Sequence, residues 1–275
     1  MRLAVTGATG FVGRHVLDEL AAMPVEVVAT RRPGGVRSAV ARQIRWIQMD
    51  IADAPPDAFD QLGRPDALIH LAWSGLPNYR SLHHIEEELP QHYRFLAALV
   101  RQGLGAIVAT GTCFEYGMQA GALAADGPTL PSNPYGFAKD TLRRQLELLK
   151  TTHPFALTWA RLFYMHGEGQ PATSLLPLLR NAVAAGEREF RMSGGEQLRD
   201  YLPVAQAARE LVHYALKPLD RGPVNVCAGA PISVRRLVEG WIAEHGWEIT
   251  LRLGELPYPD YEPMAFWGVR TEDAR

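Results

Sequence analysis

The chain has 275 residues, of which 47% are hydrophobic, and its 28 lysines and arginines nearly balance 30 acidic residues. This length suits two domains of about 150 residues each or one large α/β unit, and the apolar content excludes a disordered chain. The net charge of −2 indicates no nucleic-acid partner. No apolar run approaches the ~20 residues of a membrane span, and Cys113 and Cys227 form neither a disulfide framework nor a metal-ligand spacing. We therefore expect a cytoplasmic protein with no membrane segment and no metal.

Short β-rich apolar runs alternate along the chain with stretches of helical period. The predicted strands are Arg2–Thr6, Val25–Thr30, Trp46–Met49, Ala67–Ala72, Ala106–Thr110 and Leu157–Phe163. The predicted helices cover roughly Gly13–Met23, the apolar positions from Leu89 to Val100, the segment from Pro134 to Lys150, and Leu175–Ala185. This alternation is typical of an α/β protein with a doubly wound parallel sheet covered by helices. The looser rhythm after about Tyr164 indicates a smaller, partly interleaved C-terminal lobe.

A glycine-rich turn joins the first predicted strand to the first helix. Gly7 permits the tight turn, Gly10 lets the backbone approach a pyrophosphate, and Gly13 allows close packing of the helix on the strand. The free N–H groups and positive dipole end of the helix favour phosphate binding. A purely structural turn is the alternative. The pattern predicts a dinucleotide site that includes Gly7, Thr9, Gly10, Phe11, Val12 and Gly13.

The end of the second strand bears on which dinucleotide is bound. An NAD site usually has an acid there for the ribose hydroxyls, whereas this strand ends in Arg31 and Arg32. Two guanidinium groups suit a 2′-phosphate, so NADP(H) is favoured over NAD(H), the alternative being two solvated surface arginines. Asp50 is placed to accept a hydrogen bond from the adenine amino group, or it caps a turn. Further cofactor contacts are predicted at Ile51, Leu71 and Ala72.

Tyr135 and Lys139 lie one helical turn apart, just after the N-cap of their helix. A nearby ammonium lowers the pKa of a phenol from ~10 toward neutrality, which makes it a usable proton donor or acceptor. A surface pair is the alternative, but it leaves unexplained one of only three lysines in the chain. Thr112 lies just beyond the strand Ala106–Thr110, at the sheet edge where ligands bind, and its hydroxyl would orient a carbonyl toward Tyr135.

Four motifs in this order, TGATGFVG, TCFEYG, YGFAK and LRDYLPV, resemble the extended short-chain dehydrogenase/reductase family and, within it, the nucleotide-sugar epimerase/dehydratase group. The resemblance covers nearly the whole chain. It implies a Rossmann-type NADP-binding domain over residues 1–164 with return segments near 198–230, and a mainly substrate-binding lobe over 165–275. It also implies a homodimer, formed through the helices Glu87–Gln102 and Pro134–Lys150.

The same resemblance implies roles for individual side chains. The catalytic set would be Thr112, Tyr135 and Lys139, with a nucleoside-diphosphate sugar as substrate. Arg199 would face the diphosphate. The remaining substrate contacts would come from Cys113 and Tyr164, together with Thr112.

Departures from the family pattern bear on the reaction. Dehydratases of the family carry an Asp–Glu pair directly after the catalytic threonine, whereas this chain has Cys113 and Phe114. The second strand ends in arginines in place of an acid, which does not suit an epimerase that retains NAD. Motifs such as YEPMAFWG are similar to those of reductases that finish dTDP-linked 6-deoxysugars. The resemblance therefore implies NADPH-dependent reduction of the 4-keto group of a dTDP-linked 4-keto-6-deoxyhexose.

Two other functions stay open at this point. One is a nucleotide-sugar epimerase, either a 4-epimerase or an epimerase-reductase in which Cys113 and His166 invert sugar carbons. The other is an NADP-binding sensor without catalysis. Histidines 83, 84 and 92 and the acidic run Glu86–Glu88 are interpreted as a helix start and its solvated face.

Overall fold

The computed structural model describes residues 1–34 and 44–270. Its strands are β1 (Arg2–Thr6), β2 (Glu26–Arg31), β3 (Arg45–Gln48), β4 (Ala67–His70), β5 (Ala106–Thr112), β6 (Gly121–Leu123), β7 (Ala156–Leu162), β8 (Tyr164–His166), β9 (Glu189–Arg191), β10 (Leu198–Pro203), β11 (Gly222–Val226), β12 (Pro231–Ser233), β13 (Thr250–Arg252) and β14 (Phe266–Gly268). Its α-helices are α1 (Phe11–Ala21), α2 (Ala58–Gln61), α3 (Leu89–Arg101), α4 (Pro134–Lys150), α5 (Leu175–Ala184), α6 (Val204–Leu216) and α7 (Val234–His245). A π-helical turn (His84–Glu88) leads into α3, and a 3-10 turn (Cys113–Tyr116) follows β5.

Within these described residues, seven parallel strands form the central sheet in the order β3-β2-β1-β4-β5-β7-β11. The order reverses between β1 and β4, because β2 and β3 lie to one side of β1 and the later strands to the other. In open parallel sheets, ligands bind at the carboxyl ends of the strands at such a reversal. The fold therefore places a candidate site at the ends of β1, β4 and β5.

Both faces of the sheet are covered, which explains why its strands are apolar on both sides. On one face, Leu17 of α1 and Leu211 of α6 pack with Val5 of the sheet. On the other, Leu96 of α3 and Leu142 of α4 belong to a second core. These packed helices fix the positions of the loops that follow the strands.

The C-terminal part of the chain builds a separate apolar core around α5 and α7, which includes Leu179, Val238 and Trp241. Strand β10 pairs in parallel with β8 and antiparallel with β12. A small cluster that includes Cys113 and Phe266 lies where the 3-10 turn after β5 meets β14. Residues from the C-terminal half therefore reach the carboxyl end of β5.

The predicted doubly wound parallel sheet is confirmed, but several predicted ends were wrong. The strand predicted to end at Thr110 continues to Thr112, and the strand predicted to continue to Ala72 ends at His70. Helix α1 begins at Phe11, two residues before its predicted start. The first of these differences matters for the site, because it makes Thr112 the last residue of β5. The division into residues 1–164 and 165–275 stays a prediction.

Candidate active site

The glycine turn after β1 has the close approaches that its sequence predicts. Gly7 has φ +69°, and a Cβ there would lie 2.6 Å from the backbone nitrogen of Ala72. At Gly13 a Cβ would lie 2.3 Å from the carbonyl oxygen of Gly7. Helix α1 starts after Gly10 without a side-chain cap, so the N–H groups of its first turn are available to an anion.

Two adjoining cavities open beside this turn, with volumes of about 380 Å³ and about 410 Å³. Both are lined by Gly7, Gly10 and Leu71. We call the first the glycine-loop cavity, and it is also lined by Thr9, Arg31, Arg32, Asp50, Ile51 and Ala72. We call the second the tyrosine cavity, and its further lining includes Phe11, Val12, Gly13, Thr112, Cys113, Tyr135, Lys139 and Tyr164. The structure thus brings the residues predicted to bind the cofactor and those predicted to act on the substrate into neighbouring cavities.

Asp50 has a local structural role within the glycine-loop cavity. Its carboxylate accepts a hydrogen bond of 3.1 Å from the backbone N–H of Ala52, so it caps the turn after β3. This was the alternative interpretation of Asp50, and its carboxylate still lines the cavity. Arg31 and Arg32 line the same cavity at the end of β2.

Thr112 is held at the end of β5 by a capping box. Its hydroxyl accepts a hydrogen bond from the Phe114 N–H, and Glu115 accepts one of 2.9 Å from the Thr112 N–H. Glu115 is fully buried, and its other carboxylate oxygen lies 2.6 Å from Nε of Arg161. The threonine backbone is therefore fixed by a buried ion pair that the prediction did not include. In the sequence, the spacing Thr-x-x-Glu could have predicted this capping box.

Tyr135 lies in the first turn of α4, beneath the 3-10 turn. The N-cap Asn133 accepts a 2.9 Å hydrogen bond from the Gly136 N–H, and a Cβ on Gly136 would lie 2.5 Å from the Phe114 carbonyl oxygen. Burial raises the pKa of Tyr135 well above its usual value, Tyr79 raises it further, and a hydrogen bond with Thr112 acts in the opposite direction. The expected lowering of this pKa by Lys139 was therefore wrong for the free protein, because loss of hydration dominates.

Lys139 is buried in the wall of the tyrosine cavity. Its Nζ donates a hydrogen bond of 2.9 Å to the carbonyl oxygen of Thr110 and lies 4.0 Å from the ring centroid of Trp73. Burial lowers the pKa of Lys139 to about 7, although Glu115 and Glu88 both favour its charged form. The buried lysine therefore loses its proton more readily than an exposed one.

A buried hydrogen-bonded chain runs from β1 to the start of α3. The hydroxyl of Thr6 lies 2.8 Å from Nδ1 of His70, and Nε2 of His70 lies 2.8 Å from Nδ1 of His92. Nε2 of His92 then meets Glu88 at 3.1 Å, and Glu88 accepts hydrogen bonds of 2.7 and 2.6 Å from the N–H and hydroxyl of Ser74. The solvated face predicted for His92 and Glu88 was therefore wrong.

His84 begins the π-helical turn, so the helix start predicted at this position is confirmed, although its side chain is not solvated. It is fully buried, accepts a 3.1 Å hydrogen bond from Nε1 of Trp73, and contacts the Asn78 carbonyl oxygen at 2.9 Å. His83 is half-buried and lines the glycine-loop cavity. The spacing of this π-helical turn differs from the i, i+3, i+4 pattern, which therefore did not reveal the burial of His84.

A third cavity of about 790 Å³, which we call the C-terminal cavity, lies between the 3-10 turn, α5, β10 and residues 256–262. Arg199 lines it, but its Nη2 lies 2.8 Å from the carboxylate of Glu262, and Tyr164 donates a hydrogen bond to the same carboxylate. In the free protein the charge of Arg199 is matched by Glu262, and the expectation that Arg199 faces a diphosphate stays a prediction. Gln170, Thr173 and Ser174, which precede α5, also line this cavity.

Cys113 and His166 are not brought together as a catalytic pair. Cys113 is buried against Tyr116, Phe163 and Phe266, and burial raises the pKa of its thiol strongly. The ring of His166 instead lies 5.5 Å from that of Trp241. Cys113 therefore has the surroundings of a packed apolar side chain.

The described residues hold no group of three His, Cys, Asp or Glu side chains placed to bind a metal ion. A search of the same part of the chain finds no helix long and apolar enough to cross a bilayer.

A Rossmann-type sheet with a glycine turn at its reversal and a Thr–Tyr–Lys group beside it defines a dinucleotide-dependent oxidoreductase. The family model for the NAD dependent epimerase/dehydratase family matches residues 3–227, and the chain belongs to this family. Membership makes it an NAD(P)-dependent oxidoreductase, in agreement with the prediction.

Two relatives and one solved structure show what the chain is similar to. The chain is 29% identical to dTDP-6-deoxy-L-talose 4-dehydrogenase (NAD(+)) of Aggregatibacter actinomycetemcomitans, over 98% of this chain and 100% of that protein. It is 28% identical to UDP-glucose 4-epimerase of Azospirillum brasilense, over 86% of this chain and 75% of the epimerase. The solved structure of MoeE5 in complex with UDP-glucuronic acid and NAD has a TM-score of 0.82 at 25% identity, covering 100% and 91% of the two chains.

Proposed function

We propose that the protein is an NADPH-dependent 4-ketoreductase that acts on a dTDP-linked 4-keto-6-deoxyhexose and yields a dTDP-6-deoxysugar. The observation that carries the proposal is the placement of Thr112, Tyr135 and Lys139 in the cavity that the glycine turn also lines. The full-length similarity to a dehydrogenase of a dTDP-6-deoxysugar supports the choice of substrate.

The residues present fit a dinucleotide. The backbone around Gly7 and Gly13 leaves no room for a Cβ, and the first turn of α1 offers N–H groups to a pyrophosphate. Arg31 and Arg32 would hold a 2′-phosphate, which supports NADP(H) over NAD(H). In this proposal residues 1–164, with return segments near 198–230, bind the dinucleotide, and residues 165–275 mainly bind the sugar nucleotide.

When bound, the reduced dinucleotide supplies a hydride to carbon 4 of the keto sugar. Tyr135 donates its phenolic proton to the developing alkoxide, and the Thr112 hydroxyl donates a hydrogen bond to the same oxygen. Lys139 would bind the nicotinamide ribose and stabilise the tyrosinate that remains. Cys113 and Tyr164 contribute to the wall against which the sugar is held.

A 4-epimerase is the second candidate, and the similarity to UDP-glucose 4-epimerase favours it. An epimerase interconverts a sugar nucleotide without net consumption of dinucleotide. Arginines at the end of β2, in place of an acid, do not suit an epimerase that retains NAD. Burial raises the pKa of the Cys113 thiol, which does not suit the role that an epimerase-reductase would give it.

The decisive experiment follows NADPH oxidation with dTDP-4-keto-6-deoxyglucose and identifies the sugar product. Stoichiometric oxidation with reduction at carbon 4 is the expected result. Conversion of UDP-glucose to its 4-epimer without NADPH consumption would establish the epimerase instead. Tight NADPH binding with no turnover of any keto sugar or UDP-glucose would indicate a sensor.

We also propose that the protein works as a homodimer through α3 and α4. These helices pack side by side, and α4 carries two large apolar side chains, Phe137 and Leu148, that are 48% and 70% exposed. A second copy of the chain would cover them. Light scattering should give twice the mass of one chain, and the double variant Phe137→Glu, Leu148→Glu should give the mass of a single chain.

A further inference from the structure

The ammonium group of Lys139 lies over the indole of Trp73. Nζ is 4.0 Å from the ring centroid, within the range in which an aromatic face attracts a cation. Trp73 follows β4 by three residues, and its side chain lines both the glycine-loop cavity and the tyrosine cavity. The same indole meets the ring of Tyr135 edge-on, with 6.1 Å between the ring centroids. Trp73 thus contacts both members of the Tyr–Lys pair.

The indole is held in place from two sides. Its Nε1 donates a hydrogen bond of 3.1 Å to the buried His84, and its ring stacks on His92 at a centroid distance of 4.6 Å. His92 is itself fixed by hydrogen bonds with His70 and Glu88. The hydrogen-bonded chain of histidines therefore orients the indole of Trp73, over which the ammonium of Lys139 lies.

Charged and titratable groups face Lys139 from several elements. Glu115 of the 3-10 turn and Glu88 of the π-helical turn favour its charged form. His70 of β4, His84 of the π-helical turn and His92 of α3 also face this region, and burial lowers the pKa of each of them. The three imidazoles are therefore neutral at pH 7 and do not repel the ammonium.

We propose that Trp73 is a positioning residue for Lys139, whose indole face favours the buried ammonium form and fixes it beside Tyr135. Trp73 acts through the lysine and does not touch the reacting atoms. The inference rests on the proposed function for its catalytic consequence. The backbone hydrogen bond to Thr110 uses one of the three ammonium N–H groups, and the indole supplies attraction where water is excluded.

The chain has three lysines, which allows a direct test by NMR. Protein labelled with ¹³C at lysine Cε should give three signals, which Lys150→Arg and Lys217→Arg would assign by elimination. In the unchanged protein, we expect the ε protons of Lys139 to be shifted upfield by the indole ring current. A Lys139 signal at the position of a solvent-exposed lysine would overturn the proposal without any variant being made.

Variants then measure what the indole contributes. Trp73→Leu should abolish the upfield shift and lower the pKa of Lys139 by about one unit, since the cation loses its aromatic face. Trp73→Phe, which keeps a ring but not the N–H, should retain most of the upfield shift and change the pKa of Lys139 little. Trp247→Leu is the matched control, because Trp247 is a half-buried indole stacked on His245 at 4.4 Å. An unchanged Lys139 titration in folded Trp73→Leu would contradict the proposal.

Turnover provides the second measurement. If the charged lysine is needed, the high-pH limb of the rate profile should move about one unit lower in Trp73→Leu and little in Trp73→Phe. A uniform loss of rate at every pH would mean that Trp73 has only a packing role. The NMR titration needs no substrate, so failure of the proposed ketoreductase activity leaves it unaffected and the two failures are distinguishable.

Discussion

The guanidinium of Arg199 and the carboxylate of Glu262 lie 2.8 Å apart in the wall of the C-terminal cavity, with only 3% and 8% of their side chains exposed. The pair joins β10 to the segment before β14. A buried ion pair is costly to break, because the remaining charge is left without a partner. An anionic ligand that reaches Arg199 must therefore take over the position of Glu262.

Glu262→Gln tests whether an anionic ligand can take the place of Glu262 beside Arg199. We expect the free energy of unfolding to fall by about 3–5 kcal/mol, because Arg199 stays buried without its carboxylate. We also expect dTDP to raise the melting temperature more in the variant than in the unchanged protein, since a diphosphate would supply the missing charge. The measurement is thermal unfolding with and without dTDP.

Glu239→Gln is the control for that experiment. Glu239 pairs with Arg235 at 2.8 Å, but both side chains are about half exposed, so the loss of stability should be much smaller than for Glu262→Gln. Equal stabilisation of both variants and the unchanged protein by dTDP would show that Arg199 does not meet the diphosphate.

Tyr135→Phe should lower turnover of the keto sugar by roughly 10²–10⁴-fold, the usual contribution of a general acid. NADPH affinity should change little, because the variant removes a single hydroxyl. Tyr93→Phe, on the partly exposed side of α3, serves as the control and should keep full activity. Stopped-flow rates and NADPH fluorescence titration measure the two effects, and a parallel loss of both would contradict the proton-donor role.

Arg31→Asp should reverse the dinucleotide preference. A carboxylate at the end of β2 would repel a 2′-phosphate and accept hydrogen bonds from a ribose, so NADPH should weaken at least about tenfold relative to NADH. Arg236→Asp makes the same charge change on an exposed site of α7 and should leave the ratio unchanged. Dissociation constants for both dinucleotides check this. An unchanged protein that already prefers NADH would refute the assignment of NADP(H).

The parts of the site that the sequence predicts are those defined by short-range geometry. The turn around Gly7 and the i, i+4 relation of Tyr135 and Lys139 depend on neighbours within about one helical turn. The sheet is also predictable, because its strands and helices alternate regularly. The capping box from Thr112 to Glu115 was within reach of the same reasoning.

The rest of the site depends on contacts between distant residues. Arg199 and Glu262 are 63 positions apart, and His70 and His92 are 22 apart. Local periodicity gives no indication of either pair. The pKa of Tyr135 was predicted in the wrong direction for a related reason, because the extent of its burial is a property of the whole fold.

The buried histidines predict how stability depends on pH. Burial lowers the pKa of His70 and His92 below the usual 6.5, so the unfolded chain binds more protons than the folded one below pH 6.5. Burial acts to raise the pKa of Glu88, but hydrogen bonds from His92 and Ser74 lower it to about 2, so its contribution is lost as the pH falls from 4.5 toward 2. The contribution of these three groups to stability should therefore be complete above pH 6.5 and decline below it.

His92→Gln measures this contribution. Each neutral buried histidine adds up to about 1.4 kcal/mol per pH unit to the slope below pH 6.5, so the variant should have a shallower slope whatever its absolute stability. Urea unfolding at several pH values between 7.5 and 5 gives that slope. His153→Gln, which removes a histidine near the protein surface, should leave it unchanged. If His92→Gln keeps the original slope, His92 takes up its proton in the folded protein as readily as in the unfolded chain, and the neutral histidine chain that supports Trp73 would have to be abandoned.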